Sequence, residues 1–447
     1  MVRNIARHAS TVAASNGYVV KLVAIRDGRY SEISLSNFQP PRIGALWQHR
    51  TGEHLRKRAL STINWLRHRL DTLSDAPAWR DFINAPFHRF GLARCVLYPF
   101  LLARALVQRM RSAKTGVQAP RLWGATDDLS HDILLLADSS WDFADSWAAT
   151  QEFRGQGGYI ASVIYDLIPL SHPQFYDPFL VNIFSNWINK SVDFVDFYIC
   201  ISRSTEDALG TFLHGQKKNN LTGHFHLGSD LDLRDKEGSP SHTVAKIVAG
   251  ASPIFLVVGS LEPRKNIEFV LNAFERAWQE DSNAKLVLVG HNTWKVDALL
   301  ERIQRHPLLG ARLFWVRDAS DTDLEYLYQN ATALVFASMI EGFGLPIVEA
   351  MQRGLPVLCS DIPVFREIAD GKASFFSLDT TDELVHSIRS AMEEHATLLQ
   401  PGRTLHRWLS WSESTDILLN KIHAQYLIDR KNQSAETRLE SSIQDVS

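Results

Sequence analysis

Between Ala333 and Ser360 the sequence reads ALVFAS, then a short polar stretch, then EGFGLPIVEA, and finally LPVLCS, an order that few folds accommodate. ALVFAS (333–338) is apolar and rich in β-formers, the pattern of a strand buried on both faces of a parallel sheet. Pro346 suits the first position of a helix, and Gly354 stops that helix just after Met351-Gln352-Arg353. LPVLCS (355–360) then reads as a second buried strand. The glycine loop therefore lies between the carboxyl end of a strand and the amino end of a helix, with Glu341 before it and Glu349 beyond it. Free backbone N–H groups and the positive end of the helix dipole make such a place a phosphate cradle. Glu349, about one turn into the helix, suits a diol such as a ribose. The residues expected to meet a nucleotide here are Glu341, Gly342, Phe343, Gly344, Leu345 and Glu349.

A chain of 447 residues predicts two or three domains with full cores. Its three cysteines, Cys95, Cys200 and Cys359, lie far apart and show neither disulfide nor metal-ligand spacing, which points to a reducing cytoplasm. Met1 to Ser15 has no apolar core of a signal peptide, and the longest candidate span, Cys95 to Ala103, is too short to cross a bilayer. The net charge of −3 hides an uneven distribution. Over 42–121, 15 Lys or Arg face four acids, a balance of +11, while the remainder, with 32 bases against 46 acids, carries −14. Arg56-Lys57-Arg58, Arg67-His68-Arg69 and Arg109-Met110-Arg111 stand among Leu, Trp and Phe at helical spacing. This stretch is either a solvated helical insertion or an amphipathic surface for anionic lipid. Nucleic acid is disfavoured as a partner, because no reading module is recognisable.

Along the chain, Val2 to Ser15 reads as a helix and Val19 to Ile25 as a strand. An α/β domain of this kind should open with a strand and a glycine-rich turn before its first helix, so that opening strand is expected to be missing here. HDILLLADSSW (131–141), YIASVIYDLIPL (159–170) and DFYICIS (196–202) read as buried strands, with helices over 178–190 and 204–213. The stretch 228–250, rich in charge, Gly, Ser and Pro, reads as an interdomain linker. Strand and helix then alternate to about residue 400. Ser412 to Leu427 is expected to be the last helix, and the polar tail from Lys431 to be disordered.

Two more strands end in glycine, FLVVG at Gly259 and LVLVG at Gly290. After the first come Ser260, Arg264 and Lys265, just ahead of a helix. Cations are mildly unfavourable at a helix start. A bound diphosphate gives them a purpose, because they meet its negative charge. Surface charge is the alternative reading. Asp166 ends a buried strand, where it orients a substrate hydroxyl or caps the next helix. His172, nearby in a loop, reads as a bystander, and Ser202 and Ser204 as helix caps.

EGFGLPIVEA, together with FLVVGSLEPRKNIEFVLNAF (255–274) and LVLVGHNTW (286–294), resembles the E-x7-E group of retaining nucleotide-sugar glycosyltransferases, glycosyltransferase family 4 or group 1. The resemblance covers roughly 253–411, and LLLADSSW, VIYDLIPLSHPQFYDP and YICIS look most like bacterial mannosyltransferases of O-antigen or exopolysaccharide assembly. It implies a GT-B fold, that is, two Rossmann-like doubly wound α/β domains facing a cleft. The expected division is an acceptor-side domain over 1–235 with the basic insertion at about 42–121, a donor domain over 236–411, and a crossover helix with a polar tail over 412–447. It implies a metal-independent hexosyl transfer with retention, from a GDP-sugar or, second, a UDP-sugar, to a glycan or lipid-linked acceptor at the cytoplasmic membrane face. No cofactor and no metal are implied, and Asp230-Leu231-Asp232 resembles the interdomain loop. By the same resemblance Glu341, Lys265, Arg264 and Asp166 are the catalytic set. Gly259, Ser260, Gly290, the Gly342–Leu345 loop and Glu349 would then hold the donor together with the basic pair. Two departures stand out: relatives carry histidine at Tyr165, and many carry arginine at Ser260. With the missing strand, they leave an inactive, truncated sugar-nucleotide binder as the alternative. A nicotinamide oxidoreductase is disfavoured, since no G-x-G-x-x-G opens a βαβ unit.

Overall fold

The computed structural model describes residues 5, 8–9, 23–26, 29–32, 127–137, 146–218, 220–229, 238–280, 282–397 and 405–444. The basic stretch 42–121 and the pair Asp230 and Asp232 lie outside them. The chain divides into two compact units, one of 1–20, 132–138 and 159–447, the other of 21–131 and 139–158. In the second, strand β1 (Val23–Arg26) pairs antiparallel with β2 (Arg29–Glu32), and a helix spans Ser146–Gly155. Phe153 of that helix lies where a side chain on Gly158 would otherwise stand.

The larger unit holds two parallel sheets. In the first, β3 (Ile133–Leu136), β4 (Tyr159–Ile164), β5 (Phe197–Cys200) and β6 (Leu221–His224) stand in that order. Every residue of YIASVI and FYIC is buried, as unbroken apolar runs require when helices cover both faces. The second sheet contains β7 (Ile254–Val258), β8 (Lys285–Val289), β9 (Leu313–Val316), β10 (Ala333–Phe336), β11 (Val357–Ser360) and β12 (Ser374–Phe376). Its strand order is β12-β11-β10-β7-β8-β9. This is a doubly wound sheet whose winding reverses between β7 and β10, and ligands of such sheets sit at the carboxyl ends of the strands at that reversal.

Alternation along the strands divides the core in two. Phe255, Val257, Leu286 and Leu288 pack with Val270, Leu271 and Phe274 on one face, while Ile254, Leu256, Val287 and Val289 join Tyr328, Ile347 and Val348 on the other. Each such fully buried side chain stabilises by about 1.5–3 kcal/mol relative to exposure.

Two expectations need correction. The stretch 228–250 is not all linker: a helix spans His242–Val248. Ser241 caps it by accepting from the Val244 amide, and Val244 and Ile247 are buried, so a capped apolar stripe outweighs the polar composition. The last helix does not end near Leu427 but runs Trp411–Gln444, 34 residues. Over 431–444 there is no Gly or Pro, and Lys431, Gln433, Ala435, Glu436, Arg438, Leu439, Glu440 and Gln444 are good helix formers, so propensity carries the helix on. This helix returns to the first sheet. Tyr159 donates to Asp429 at 2.6 Å, its ring meets Tyr426 edge-on at 5.4 Å, and Ser414 donates to the His226 carbonyl at 2.7 Å.

Candidate active site

The reversal between β7 and β10 brings the separate sequence motifs together. The chain leaves β7 at Gly259 (φ +144°) and β8 at Gly290 (φ +138°). A Cβ on Gly290 would stand 2.1 Å from the Gly259 carbonyl oxygen, so the two exits cross where no side chain fits. Beyond Gly259 a 3-10 turn, Pro263–Lys265, and left-handed Asn266 (φ 54°) lead into the helix Ile267–Gln279. The Met339 amide donates to the Arg264 carbonyl at 2.8 Å, fastening this turn to the segment after β10.

That fastening brings two cations onto one carboxylate. Glu341 forms ion pairs with both Lys265 and Arg264 and accepts from Ser338 at 2.9 Å. Arg264 also pairs with Glu262 at 2.7 Å, and Ser260 donates to the same Glu262 oxygen at 3.1 Å. Lys265 stands 4.7 Å above the Phe336 ring. Burial alone would raise the Glu341 carboxyl, but Lys265 and Arg264 outweigh it and hold it below the usual range. Burial alone would lower the Arg264 guanidinium, but Glu341 and Glu262 raise it. One donor stays unused: Arg264 Nε is buried and has no acceptor among the described residues. A buried donor without a partner costs about 1–3 kcal/mol, which an anionic ligand would recover.

The glycine loop adds a row of donors. None of the amides of Gly342, Phe343, Gly344 and Leu345 donates to a protein acceptor among the described residues, and the helix Leu345–Gln352 begins there. Phe343 can serve a ligand through its amide alone, since its ring packs at 5.9 Å from His226 and 6.1 Å from Trp408. Glu349 stands apart from the ion cluster. Tyr328 donates to its Oε2 at 2.8 Å, Arg353 binds its carbonyl at 2.6 Å, and its Oε1 has no partner among the described residues. Burial raises its carboxyl, and the Tyr328 bond and Arg353 offset this only in part.

The first sheet supplies the opposite wall. Asp166 follows β4, is pushed up by burial, and lies within the electrostatic reach of Arg264, Glu341 and Glu262. Its Oδ1 accepts from the Ile168 amide at 3.0 Å, so the capping reading also describes it. Gly342 abuts this segment: a Cβ there would stand 2.1 Å from the Tyr165 carbonyl oxygen and 3.1 Å from Asp166 Cβ. Ser202 caps the helix Arg203–Gly215 and also donates to the Gly342 carbonyl at 2.8 Å, joined by Thr205 at 3.2 Å. Glu367, from the second sheet's side, accepts from the Arg203 and Ser204 amides at 2.8 and 2.9 Å and pairs with His226 at 2.7 Å. Those bonds hold its carboxyl below the usual range against the opposing effect of burial. His172 bonds to Ser171 at 2.9 Å and stacks on Phe175.

Sequence reasoning missed Glu262, Ser338, Tyr328, Glu367 and His226. Glu262 had a signal, an acid two residues ahead of a basic pair at a turn. The others meet their partners only through the fold.

Two Rossmann-like lobes, with a phosphate-type cradle and a buried basic pair at the winding reversal of the second, make up the GT-B architecture of glycosyltransferases. Residues 244–404 match the family model "Glycosyl transferases group 1". The serotype-specific mannosyltransferase WbdA of Escherichia coli is 34% identical over 300 residues, 65% of this chain and 37% of WbdA, so the chain spans just over a third of that relative. The O-antigen chain mannosyltransferase B of Escherichia coli is 33% identical over 172 residues, 37% of this chain and 44% of its own length. Among solved structures, the α,α-trehalose 6-phosphate synthase of Burkholderia multivorans aligns over 68% of this chain and 72% of its own. Its TM-score is 0.50 at 12% identity, a likeness of fold. Among the described residues no helix is long and apolar enough to cross a membrane.

Proposed function

We propose that this chain transfers a mannose-like hexose from a nucleotide sugar, GDP-linked by preference, to a glycan or lipid-linked oligosaccharide of a bacterial surface polysaccharide. The observation that carries the proposal is the buried Arg264–Lys265 pair beside the amide row of Gly342–Leu345, which has no protein acceptor among the described residues. The relatives named as mannosyltransferases support the sugar. In this reading the donor diphosphate lies on the amide row and on both cations, and Glu349 Oε1 takes a ribose hydroxyl. The bond from the anomeric carbon to the diphosphate oxygen breaks as Arg264 and Lys265 stabilise the growing charge, each contact contributing about 1.5–3 kcal/mol. Glu341 faces the positive charge that develops on the sugar. The acceptor oxygen attacks from the face that the diphosphate leaves, its proton passes to the diphosphate oxygen, and the configuration is retained without a metal. Asp166 orients the acceptor from the opposite wall. The acceptor-side lobe is taken to run over 1–235 and the donor lobe over 236–411. The basic stretch 42–121, by its charge pattern, is assigned to docking on anionic lipid at the cytoplasmic membrane face.

The test is direct. Full-length chain is incubated with GDP-mannose and α-linked mannotriose in the presence of EDTA, and the product linkage is read by NMR. An α-linked tetrasaccharide is expected, and Lys265→Ala should lower the rate at least a thousandfold while its melting temperature stays within a few degrees. A β-linked product, a dependence on metal, or near-normal turnover by Lys265→Ala overturns the mechanism. Nucleotide binding without any turnover supports instead the inactive binder.

A further inference from the structure

The donor reading leaves one built feature of the site unexplained. After β8 the loop through Asn292, Thr293, Trp294 and Lys295 reaches across to the turn Pro173–Phe175 and takes up three successive backbone carbonyls. Lys295 Nζ donates to Gln174 and to Tyr176, both at 2.7 Å, and Trp294 Nε1 donates to Phe175 at 2.6 Å. Lys295 adopts φ 56° to do so, a left-handed conformation that is uncommon for a non-glycine residue. Strain of this kind persists where surrounding bonds over-determine it, as these three do.

The result is a fixed aromatic ledge. Trp294 has its single polar atom consumed, yet the residue remains 42% exposed, so what it offers to solvent is ring carbon. Tyr176 lies beside it, ring centroids 5.9 Å apart and tilted by 37°. The Tyr176 hydroxyl has no partner among the described residues. Burial, with Asp166 next, raises that phenol, and Arg264, Glu262 and Glu341 also act on it. The ledge thus runs from an exposed indole to a hydroxyl in the field of the ion cluster.

We infer that Trp294 and Tyr176 form the subsite for the acceptor glycan, the indole stacking on a sugar ring and the Tyr176 hydroxyl bonding to a hydroxyl of the sugar nearest the cluster. This rests on the transferase reading and names a binding place for its acceptor. The chemistry fits a carbohydrate. A pyranose presents a face of C–H groups, slightly positive, to the negative face of an aromatic ring, while its hydroxyls stay at the edge where water or a phenol can meet them. A ring whose own N–H is already satisfied, and whose position is pinned from behind, loses little entropy on taking such a ligand.

The experiment uses the full chain labelled with 5-fluorotryptophan, the Trp294 resonance being assigned by its loss in Trp294→Phe. Mannotriose alone should shift that resonance, and GDP alone should not. In steady-state assays Trp294→Ala should raise the KM for mannotriose at least tenfold and leave the KM for GDP-mannose within twofold. Tyr176→Phe, which keeps the ring, should raise the mannotriose KM three- to tenfold. An unshifted resonance at saturating mannotriose overturns the inference, and so does a rise of both KM values together, which would make the loop a mere strap between the lobes. If wild type transfers nothing but mannotriose still shifts the resonance, the transferase reading fails and the glycan subsite stands.

Discussion

Replacing Gly342 by alanine tests the lobe junction at its tightest point. The added methyl would stand 2.1 Å from the Tyr165 carbonyl oxygen, whereas ordinary contact begins near 3.4 Å. The backbone of one wall must therefore retreat by about 1.3 Å, and backbone cannot step aside as a side-chain tip can. Overpacking of a well-packed site costs about 1–3 kcal/mol. The same retreat stretches the bonds that Ser202 and Thr205 give to the Gly342 carbonyl, at 2.8 and 3.2 Å, beyond useful length, about 1 kcal/mol each. Allowing for partial relaxation, the variant should lose about 2–4 kcal/mol. In a large domain that corresponds to roughly 4–8 °C in Tm. Differential scanning calorimetry measures it, with Ser202→Ala as the comparison, since that change removes hydrogen bonds without adding bulk and should cost about half as much. A Gly342→Ala protein melting within 1 °C of wild type, or less affected than Ser202→Ala, would refute the close approach on which this reasoning depends.

Tyr328→Phe removes the hydrogen bond that orients Glu349, and leaves a carboxyl already raised by burial with less to hold it ionised. Affinity for GDP should fall about fivefold, one neutral hydrogen bond's worth, while affinity for 2′-deoxy-GDP changes less, as read by calorimetric titration. Glu367 answers to pH. Its folded-state carboxyl lies below the ordinary 4.5, so its stabilisation is complete above that value and is lost as pH falls through the folded-state value. Glu367→Gln should accordingly be less stable than wild type at pH 7 by about 1.5–3 kcal/mol, one charge-assisted bond, and the gap should narrow as pH falls below the ordinary 4.5. A gap that widens on acidification contradicts the assignment.

Much of the second sheet was legible because its signals are local. Gly259, Gly290 and the Gly342–Leu345 loop each sit where an apolar run stops, and that pattern survives in a single window of sequence. The basic pair was legible too, since Arg264 and Lys265 stand where a helix start disfavours them. What hid was the pairing. Glu341 reaches Lys265 across 76 positions, and His226 meets Glu367 across 141. No periodicity records which charge answers which. The helix His242–Val248 was hidden for a different reason, because window composition weighed its polar neighbours above two buried side chains and one serine cap. The tail from Lys431 failed in the same way: polarity suggested disorder, and intrinsic propensity prevailed.

The pairing of Arg264 and Lys265 with Glu262 and Glu341 leaves the site electrically balanced. On the proposed donor reading, an arriving diphosphate competes with Glu341 for the same two cations. As it takes them, Glu341 loses the neighbours that keep its carboxyl low, and Asp166, already raised, gains another negative charge nearby. On that reading both carboxyls are pushed upward as the nucleotide binds, and any net proton uptake shows as a dependence of the measured binding enthalpy on the buffer. On that reading departure runs the exchange backwards: Glu341 recovers its cations, and the carboxylate helps to expel the very anion that displaced it.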